Sequence, residues 1–334
     1  MAPAYPFHAV HGDYPRPVFR SASRRLVLVV LASLFALASS PARSGAGGDL
    51  PRDRPLRLIS MNPSLSAIVV RLGSGDSLVG IDDYSARVLP SLADRPHVGG
   101  LFDPSLEAVV ALRPDRVLIV AGVEQQSYGE QLEKLGVDVE IFQNERLDEV
   151  LENIERLGAL LGRESLAADR IRSILAMRNA VARAAQDLPH PATVAVVTRS
   201  PLFLVGANTF LDEMLEAVGA RNLGRELSEG YPRGSIEWLI SVAPELLLDL
   251  TPGTESASDF WARWPSLPAV ARGRVITVDA SRISMPGPDL DLALRELAVA
   301  VHGPGIAPHI DAALTAPGPA TRARESARKG DSNR

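Results

Sequence analysis

The chain has 334 residues, of which 46% are hydrophobic, and a formal net charge of −5. This length exceeds that of a typical single domain, the apolar content suffices for two cores, and the acidic balance gives no electrostatic basis for binding nucleic acid or an anionic membrane. Cysteine is absent, which excludes disulfides, thiolate metal sites, cysteine catalysis and a lipid-modified cysteine.

The N-terminal segment has the pattern of an export signal. Arg24 and Arg25 precede an apolar run from Leu26 to Ala38, and small residues follow as far as Ala42. The run is shorter than the roughly 20 apolar residues that cross a bilayer. We expect residues 1–42 to be a cleaved signal peptide and 43–55 a linker, leaving a periplasmic product that is neither membrane-spanning nor a lipoprotein. A core helix is the alternative, disfavoured by the Ser/Gly/Pro-rich stretch that follows.

Residues 56–145 alternate between strand and helix patterns. Asn62 as an N-cap and Pro63 at the first helical position predict a helix as far as Leu72. A second helix is predicted from about Glu124 to Leu135. Strands are predicted at LRLIS, LVGI, RVLIV and from Val137 to Phe142. This alternation indicates a mainly parallel sheet covered by helices.

Two helices are predicted in residues 146–190. The first has apolar residues at a spacing of three to four and ends at Gly162, a plausible C-terminal cap. The second runs from about Glu164 to Leu188. Its length of roughly 37 Å matches the diameter of a small domain, so we expect it to join two lobes.

Residues 191–303 resume the α/β pattern. Strands are predicted at TVAVV, FLV and RVITV, with helices from Thr209 to Val218 and from about Asp289 to Val301. Residues 304–334 are rich in Pro, Ala and Arg without a periodic apolar face, which predicts a disordered tail.

An internal repeat supports two lobes. SLEAVVALRPDRVLIV from Ser105 and SIEWLISVAPELLLDL from Ser235 agree in Ser, Glu, Pro and Leu at matching positions. Each copy predicts a short helix with a glutamate in its first turn, a turn at proline and a buried strand. A weaker pair of segments, from Asn62 and Asn208, precedes the repeat in both halves. The order of the matches predicts two similar lobes.

The chain resembles the periplasmic substrate-binding proteins of ABC importers for cobalamin and ferric siderophores. The resemblance covers about Leu56 to His302. It implies an α/β fold of two Rossmann-like lobes with mainly parallel sheets, joined by a single long bridging α-helix. It also implies a monomer that delivers a metal chelate to an ABC permease dimer with its ATPase, not an enzyme, and without a cofactor of its own. The segments that carry it are ISMNPSLSAIVVRLGSGDSLVGIDDYS, VGGLFDPSLEAVVALRPDRVLIV, FLVGANTFLDEMLEAVGARNLG, YPRGSIEWLISVAPELLLDL and LPAVARGRVITVDASRISMPGPDL.

The resemblance assigns roles to individual residues. Glu107 and Glu237 match the glutamates, one on each lobe, that dock on permease arginines; alternatively, each only stabilises the first turn of its helix through the helix dipole. The ligand-binding positions implied between the lobes are Tyr84, Leu101, Phe102, Phe203, Tyr231, Arg282 and Met285. Aromatic rings there suit the flat faces of a large chelate.

One segment departs from the family. SRISMPGPDLD stands where many relatives are close to RPGPRL, so that Met285 and Asp289 occupy arginine positions, and Arg282 is the available substitute. The loss favours a neutral or weakly charged corrinoid over an anionic siderophore. A ferric-siderophore or haem protein of the same class is the alternative, and an extracytoplasmic ligand sensor is the alternative of another class.

Catalysis and metal binding find little support in the sequence. HExxH, GxSxG, GxxxxGK and GxGxxG motifs are absent, so no catalytic residue is predicted. The histidines beyond the signal segment lie far apart, and the acidic pair Asp82 and Asp83 is more typical of a turn than of a cation site. We therefore expect any metal to arrive inside the ligand. A nitrogenase-like or chelatase-like enzyme sharing the two-lobed build is the catalytic alternative, disfavoured by the export signal.

Overall fold

The computed structural model describes residues 54–100, 103–253 and 255–315. The predicted signal peptide, nearly all of the predicted linker and the last 19 residues of the predicted tail, 316–334, lie outside this part of the chain. Within the described residues, no helix is both long enough and apolar enough to cross a bilayer.

The first lobe contains four strands and four helices. The elements are β1 (Leu58–Ser60), α1 (Pro63–Arg71), β2 (Leu78–Ile81), α2 (Asp83–Val88), α3 (Leu106–Ala111), β3 (Arg116–Val120), α4 (Val123–Lys134) and β4 (Val139–Phe142). The strands form one sheet in the order β2-β1-β3-β4, with every neighbouring pair parallel. Asn62 caps α1 as predicted, because its side-chain oxygen accepts the N–H of Ser64 at 2.9 Å.

Two helices and a second sheet follow. The elements are α5 (Leu147–Leu161), α6 (Glu164–Ala185), β5 (Ala192–Arg199), β6 (Leu202–Leu204), α7 (Phe210–Ala217), β7 (Arg221–Asn222), α8 (Ile236–Val242), β8 (Leu246–Asp249), α9 (Ala257–Trp261), α10 (Pro268–Ala271), β9 (Val275–Thr277), α11 (Ala280–Ile283), α12 (Leu290–His302) and α13 (Ala307–Thr315). The second sheet has the order β6-β5-β8-β9, with β7 also paired to β5; β6 is antiparallel to β5 and the other pairs are parallel. The predicted α/β class with parallel sheets is confirmed.

The helix α5 is fixed to the first lobe. Arg156 pairs with Glu140 at 3.0 Å and lies over the ring of Phe142, 4.3 Å from its centroid. Asn153 donates to the carbonyl of Gln143 at 2.5 Å. The helix ends at Gly162, whose φ of 63° is the left-handed conformation predicted for a cap.

The helix α6 packs against α5 on one side and against α7, α12 and α13 of the second lobe on another. Arg170 donates to the carbonyl of Pro288 at 2.5 Å, and Arg183 donates to that of Ala313 at 2.7 Å. The described connection between the lobes therefore includes a packed pair of helices, α5 on the first lobe and α6 on the second. That one helix alone forms the bridge stays a prediction.

The chain from Pro304 to Thr315 is ordered, and the prediction of a disordered tail was wrong there. A 3₁₀ turn at Pro304–Ile306 leads into α13, and Ile306 and Ile310 are buried. Two isoleucines four residues apart form too short a pattern to indicate an amphipathic helix. Most of the partner surface lies on α6, more than a hundred residues earlier in the chain, so tertiary packing orders this segment.

The internal repeat corresponds to the same hydrogen bonds in both lobes. Asp115 follows the proline of the first repeat copy. Its carboxylate accepts the N–H of Arg57 at 2.9 Å, and its own backbone N–H donates to the Arg57 carbonyl at 2.7 Å. Glu245 makes the same two bonds with Ala192, again at 2.9 and 2.7 Å. The acid of each copy thus ties the start of a strand, β3 or β8, to the strand beside it, so the predicted similarity of the two copies extends to these hydrogen bonds.

Candidate ligand site and docking helices

Tyr84 lies in the first turn of α2, directly after the carboxyl end of β2. The buried side chain of Asp82 caps this helix, accepting the N–H groups of Tyr84 and Ser85 at 2.9 Å each and the hydroxyl of Ser85. Burial raises the pKa of Asp82, while these hydrogen bonds oppose the rise. Asp83 pairs with His97 at 3.3 Å. The two acids therefore anchor the turn that carries Tyr84.

The ring of Tyr84 is partly buried, and the guanidinium of Arg87 lies 5.2 Å from its centroid. Burial raises the pKa of the Tyr84 phenol, and the charge of Arg87 acts in the opposite direction. The side chain therefore combines a neutral phenol with an adjacent cation, an arrangement suited to contact with a flat conjugated ligand.

Tyr231 and Phe203 are brought together by backbone pairing in the second lobe. Leu204 N–H donates to the carbonyl of Pro232 at 3.0 Å, and Gly206 N–H donates to that of Gly230 at 2.8 Å. Glycine is required at 206 because a Cβ there would collide with the backbone of the facing loop. The segments that carry the two predicted aromatic residues therefore form one backbone-bonded unit, and both side chains are partly buried.

Tyr231 also lies close to the chain that leaves the first lobe. Burial, together with the negative charge of Glu145, raises the pKa of its phenol. The carbonyl of Glu145 accepts the N–H of Phe210 at 2.6 Å, and Arg146 pairs with Glu213 at 2.9 Å. The entry into α5 is thus bonded to the start of α7, beside a predicted ligand residue.

The remaining predicted ligand residues are less well supported. Arg282 is exposed in the last turn of α11 and is ion-paired to Glu296 at 3.0 Å. Met285 is partly buried beside Gly287. Leu101 and Phe102 lie outside the described residues. Arg282 is therefore already engaged by a carboxylate, which weakens its prediction as a substitute cation.

Asp289, which marked the departure from the family, joins the two lobes. Its carboxylate lies 3.5 Å from Nε of Arg71 in the last turn of α1. Nearby, Arg170 of α6 is ion-paired to Asp291 and bonded to the Pro288 carbonyl. Sequence reasoning identified Asp289 only as a missing arginine, because nothing local in the sequence indicates a partner more than two hundred residues earlier.

A buried polar cluster in the second lobe was also missed. Asp249, at the end of β8, has a fully buried side chain. Its carboxylate accepts hydrogen bonds from Nε of Arg199 at 2.9 Å and from the indole N–H of Trp261 at 2.6 Å. Arg199 lies 4.8 Å from the ring centroid of Phe260. The available signal was Asp249 at the end of an apolar strand, followed twelve residues later by Trp261, whose indole N–H needs an acceptor when it is buried.

Glu107 and Glu237 occupy equivalent positions on α3 and α8. Ser105 caps α3 by accepting the N–H of Ala108 at 3.1 Å, and Ser235 caps α8 by accepting the N–H of Trp238 at 3.2 Å. Both glutamates are exposed. Hydrogen bonds from its own backbone N–H and from Ser235 hold the pKa of Glu237 below its usual range. Each lobe therefore presents one acidic side chain at the start of a capped helix.

Comparison with known proteins gives a consistent result. A cobalamin-binding protein of Halobacterium salinarum is 29% identical over 265 residues, covering 74% of this chain and 70% of the relative. A solved periplasmic heme binding protein from Pseudomonas aeruginosa is 29% identical with a TM-score of 0.63, covering 75% of this chain and 94% of that one. The solved periplasmic vitamin B12 binding protein of Vibrio cholerae shares the fold, with 22% identity and a TM-score of 0.63. The match covers 78% of this chain and 98% of that one.

The family model described as periplasmic binding protein matches residues 58–281, from β1 in the first sheet to α11 after the second. This span includes both repeat copies, both capped helices and the connecting pair α5 and α6. The two similar parallel-sheet lobes and the match over most of the chain lead to one conclusion: this chain belongs to the periplasmic binding protein family.

Proposed function

We propose that the protein captures a corrinoid of the cobalamin type between its lobes and delivers it to an ABC permease. The observation that carries the choice of ligand is the segment from Met285 to Asp291, which has two carboxylates and no cation. Both carboxylates are paired with arginines of other elements, Asp289 with Arg71 and Asp291 with Arg170, so the segment offers an anionic siderophore no cation of its own, whereas a neutral or weakly charged corrinoid needs none. The cobalamin-binding relative at 29% identity supports the same choice.

The tyrosines favour stacking over iron ligation. A tyrosine binds haem iron as the phenolate. Burial raises the pKa of both Tyr84 and Tyr231, which makes formation of a phenolate less favourable at either position. Neutral aromatic side chains provide broad contact area for a ligand that brings its own metal and axial groups.

Haem is the second candidate, favoured by the similarity to the Pseudomonas aeruginosa heme binding protein. Arg87, whose guanidinium lies 5.2 Å from the ring centroid of Tyr84, would pair with a haem carboxylate. Under either candidate the protein has no cofactor of its own and performs no catalysis.

The proposed delivery uses Glu107 and Glu237 as docking residues, one on each lobe. A permease dimer offers two equivalent basic sites, which suits a monomeric binding protein whose halves are themselves equivalent. We also propose that the lobes span 56–145 and 191–303 and that residues 1–42 are removed on export to the periplasm.

The deciding experiment is a titration of residues 43–334 with cyanocobalamin, cobinamide, haemin and a ferric catecholate, followed by calorimetry and tryptophan fluorescence. We expect saturable binding of at least one corrinoid at lower ligand concentration than haemin or the siderophore. Saturation by haemin or the siderophore without saturation by either corrinoid would reject the ligand assignment.

A further inference from the structure

The two docking helices share a pattern of exposure that extends beyond their glutamates. From 103 to 113 in the first lobe and from 233 to 243 in the second, the alternation of exposed, partly buried and buried side chains is the same at every one of the eleven positions. The sequences differ at most of these positions, so the match is one of surface geometry. Each lobe therefore presents the same kind of helical surface to solvent.

An exposed aliphatic side chain accompanies each glutamate. Val110 is 40% exposed and Ile240 is 45% exposed, each three residues after Glu107 or Glu237. Residues three apart lie on the same face of a helix, so acid and aliphatic group are neighbours. The residue directly before the aliphatic one, Val109 or Leu239, is fully buried and fixes the orientation of the helix.

A single exposed aliphatic residue on a protein surface is ordinary. What distinguishes Val110 and Ile240 is that the internal repeat places them at the same position in both lobes. Both are β-branched and bulky, and each is at least 40% exposed. A common partner surface would account for this shared chemistry.

We propose that Glu107 with Val110, and Glu237 with Ile240, form two equivalent docking patches. They fit a two-fold symmetric protein that presents, in each half, a cation beside an apolar depression. This inference rests on the proposed function, with the permease dimer as the partner. In each patch the glutamate steers and orients the encounter, and burial of the aliphatic group supplies affinity that salt does not screen.

The test measures affinity for the source organism's permease–ATPase complex of this importer class, purified in lipid nanodiscs. The variants are Val110→Thr, Ile240→Thr, their combination, and the pair Glu107→Gln with Glu237→Gln. Leu166→Thr is the matched control, because Leu166 is 48% exposed on α6, outside both patches. Thermal unfolding and corrinoid titration of each variant verify the fold and the ligand site.

We expect each threonine variant to weaken the complex about fivefold and their combination about 25-fold, to the same extent at low and high ionic strength. The glutamine pair should weaken it mainly at low ionic strength, and Leu166→Thr should leave it unchanged. If the glutamine pair weakens the complex and the threonine variants do not, the aliphatic half of the patches is refuted while docking stands. If the glutamine pair also has no effect, the docking proposal itself fails.

Discussion

Arg71 Nε lies 3.5 Å from Asp289 Oδ1, so the last turn of α1 in the first lobe is ion-paired to the start of α12 in the second. Both side chains are about half exposed. The pair is therefore worth little to overall stability, within about 1 kcal/mol. Its significance is its position, because it links the two lobes within the segment that carries the proposed choice of ligand.

Reversing the charge at this position should change ligand preference. Asp289→Arg removes a carboxylate from the segment after Met285 and supplies a cation, so affinity for a ferric catecholate should rise about tenfold while affinity for cyanocobalamin changes little. Parallel calorimetric titrations check this. The control is the charge swap Arg71→Asp with Asp289→Arg, which restores the pair and separates ligand effects from loss of the contact between lobes. An unchanged siderophore affinity in both variants contradicts the prediction.

The Asp249 cluster should be essential for stability. Asp249→Ala leaves Arg199, only 9% exposed, without its buried partner and leaves the indole N–H of Trp261 unbonded, so unfolding should require about 3–5 kcal/mol less free energy. Urea unfolding measures the difference. Glu296→Ala, which breaks an exposed pair with Arg282, is the control and should cost less than about 1 kcal/mol. Similar losses for the two variants would contradict the argument from burial.

The tyrosines proposed for the ligand site should affect binding without affecting the fold. Tyr84→Ala and Tyr231→Ala each remove a ring whose contact with the ligand is worth about 1–2 kcal/mol, a loss of roughly fivefold to thirtyfold in corrinoid affinity. Tryptophan fluorescence titration gives the affinities, and circular dichroism confirms folding. Phenylalanine at either position should retain most of the binding, because the ring supplies the contact. Equal loss in the alanine and phenylalanine variants would instead assign the role to the hydroxyl.

The glutamates proposed for docking should affect delivery and not capture. Glu107→Ala with Glu237→Ala should leave corrinoid binding unchanged and reduce ligand-dependent transport in proteoliposomes by at least about tenfold, since two charge-assisted contacts are lost. Glu152→Ala, an exposed acid on α5, is the control and should transport normally. Full transport by the double variant would leave the helix-dipole role as the explanation for both glutamates.

Tyr128 gives a pH dependence with a defined sign. Its phenol is buried and burial raises its pKa from 10.0 to about 12. The folded state therefore favours the neutral phenol, so this contribution to stability is complete below pH 10 and is lost as the pH rises toward 12. Unfolding free energy should fall more steeply over this interval in the wild type than in Tyr128→Phe. Parallel slopes for the two proteins would contradict the prediction.

Much of the fold could be predicted from the sequence because its signals are local. The cap at Asn62, the left-handed glycine at 162 and the apolar strands are encoded within a few residues of where they act. The repeat likewise predicted two lobes and the equivalence of Glu107 and Glu237. Local backbone preferences and hydrophobic periodicity suffice for such features, since no distant partner is needed to produce them.

The tertiary structure decided what depends on residues distant in sequence. It paired Asp289 with Arg71, buried Asp249 between Arg199 and Trp261, and ordered α13 on α6, where sequence reasoning had predicted disorder. It also revealed that Val110 and Ile240 are exposed to a similar extent. Charge pairs and burial depend on which surfaces meet, and a segment with a weak local pattern becomes ordered only when another element covers its few apolar side chains.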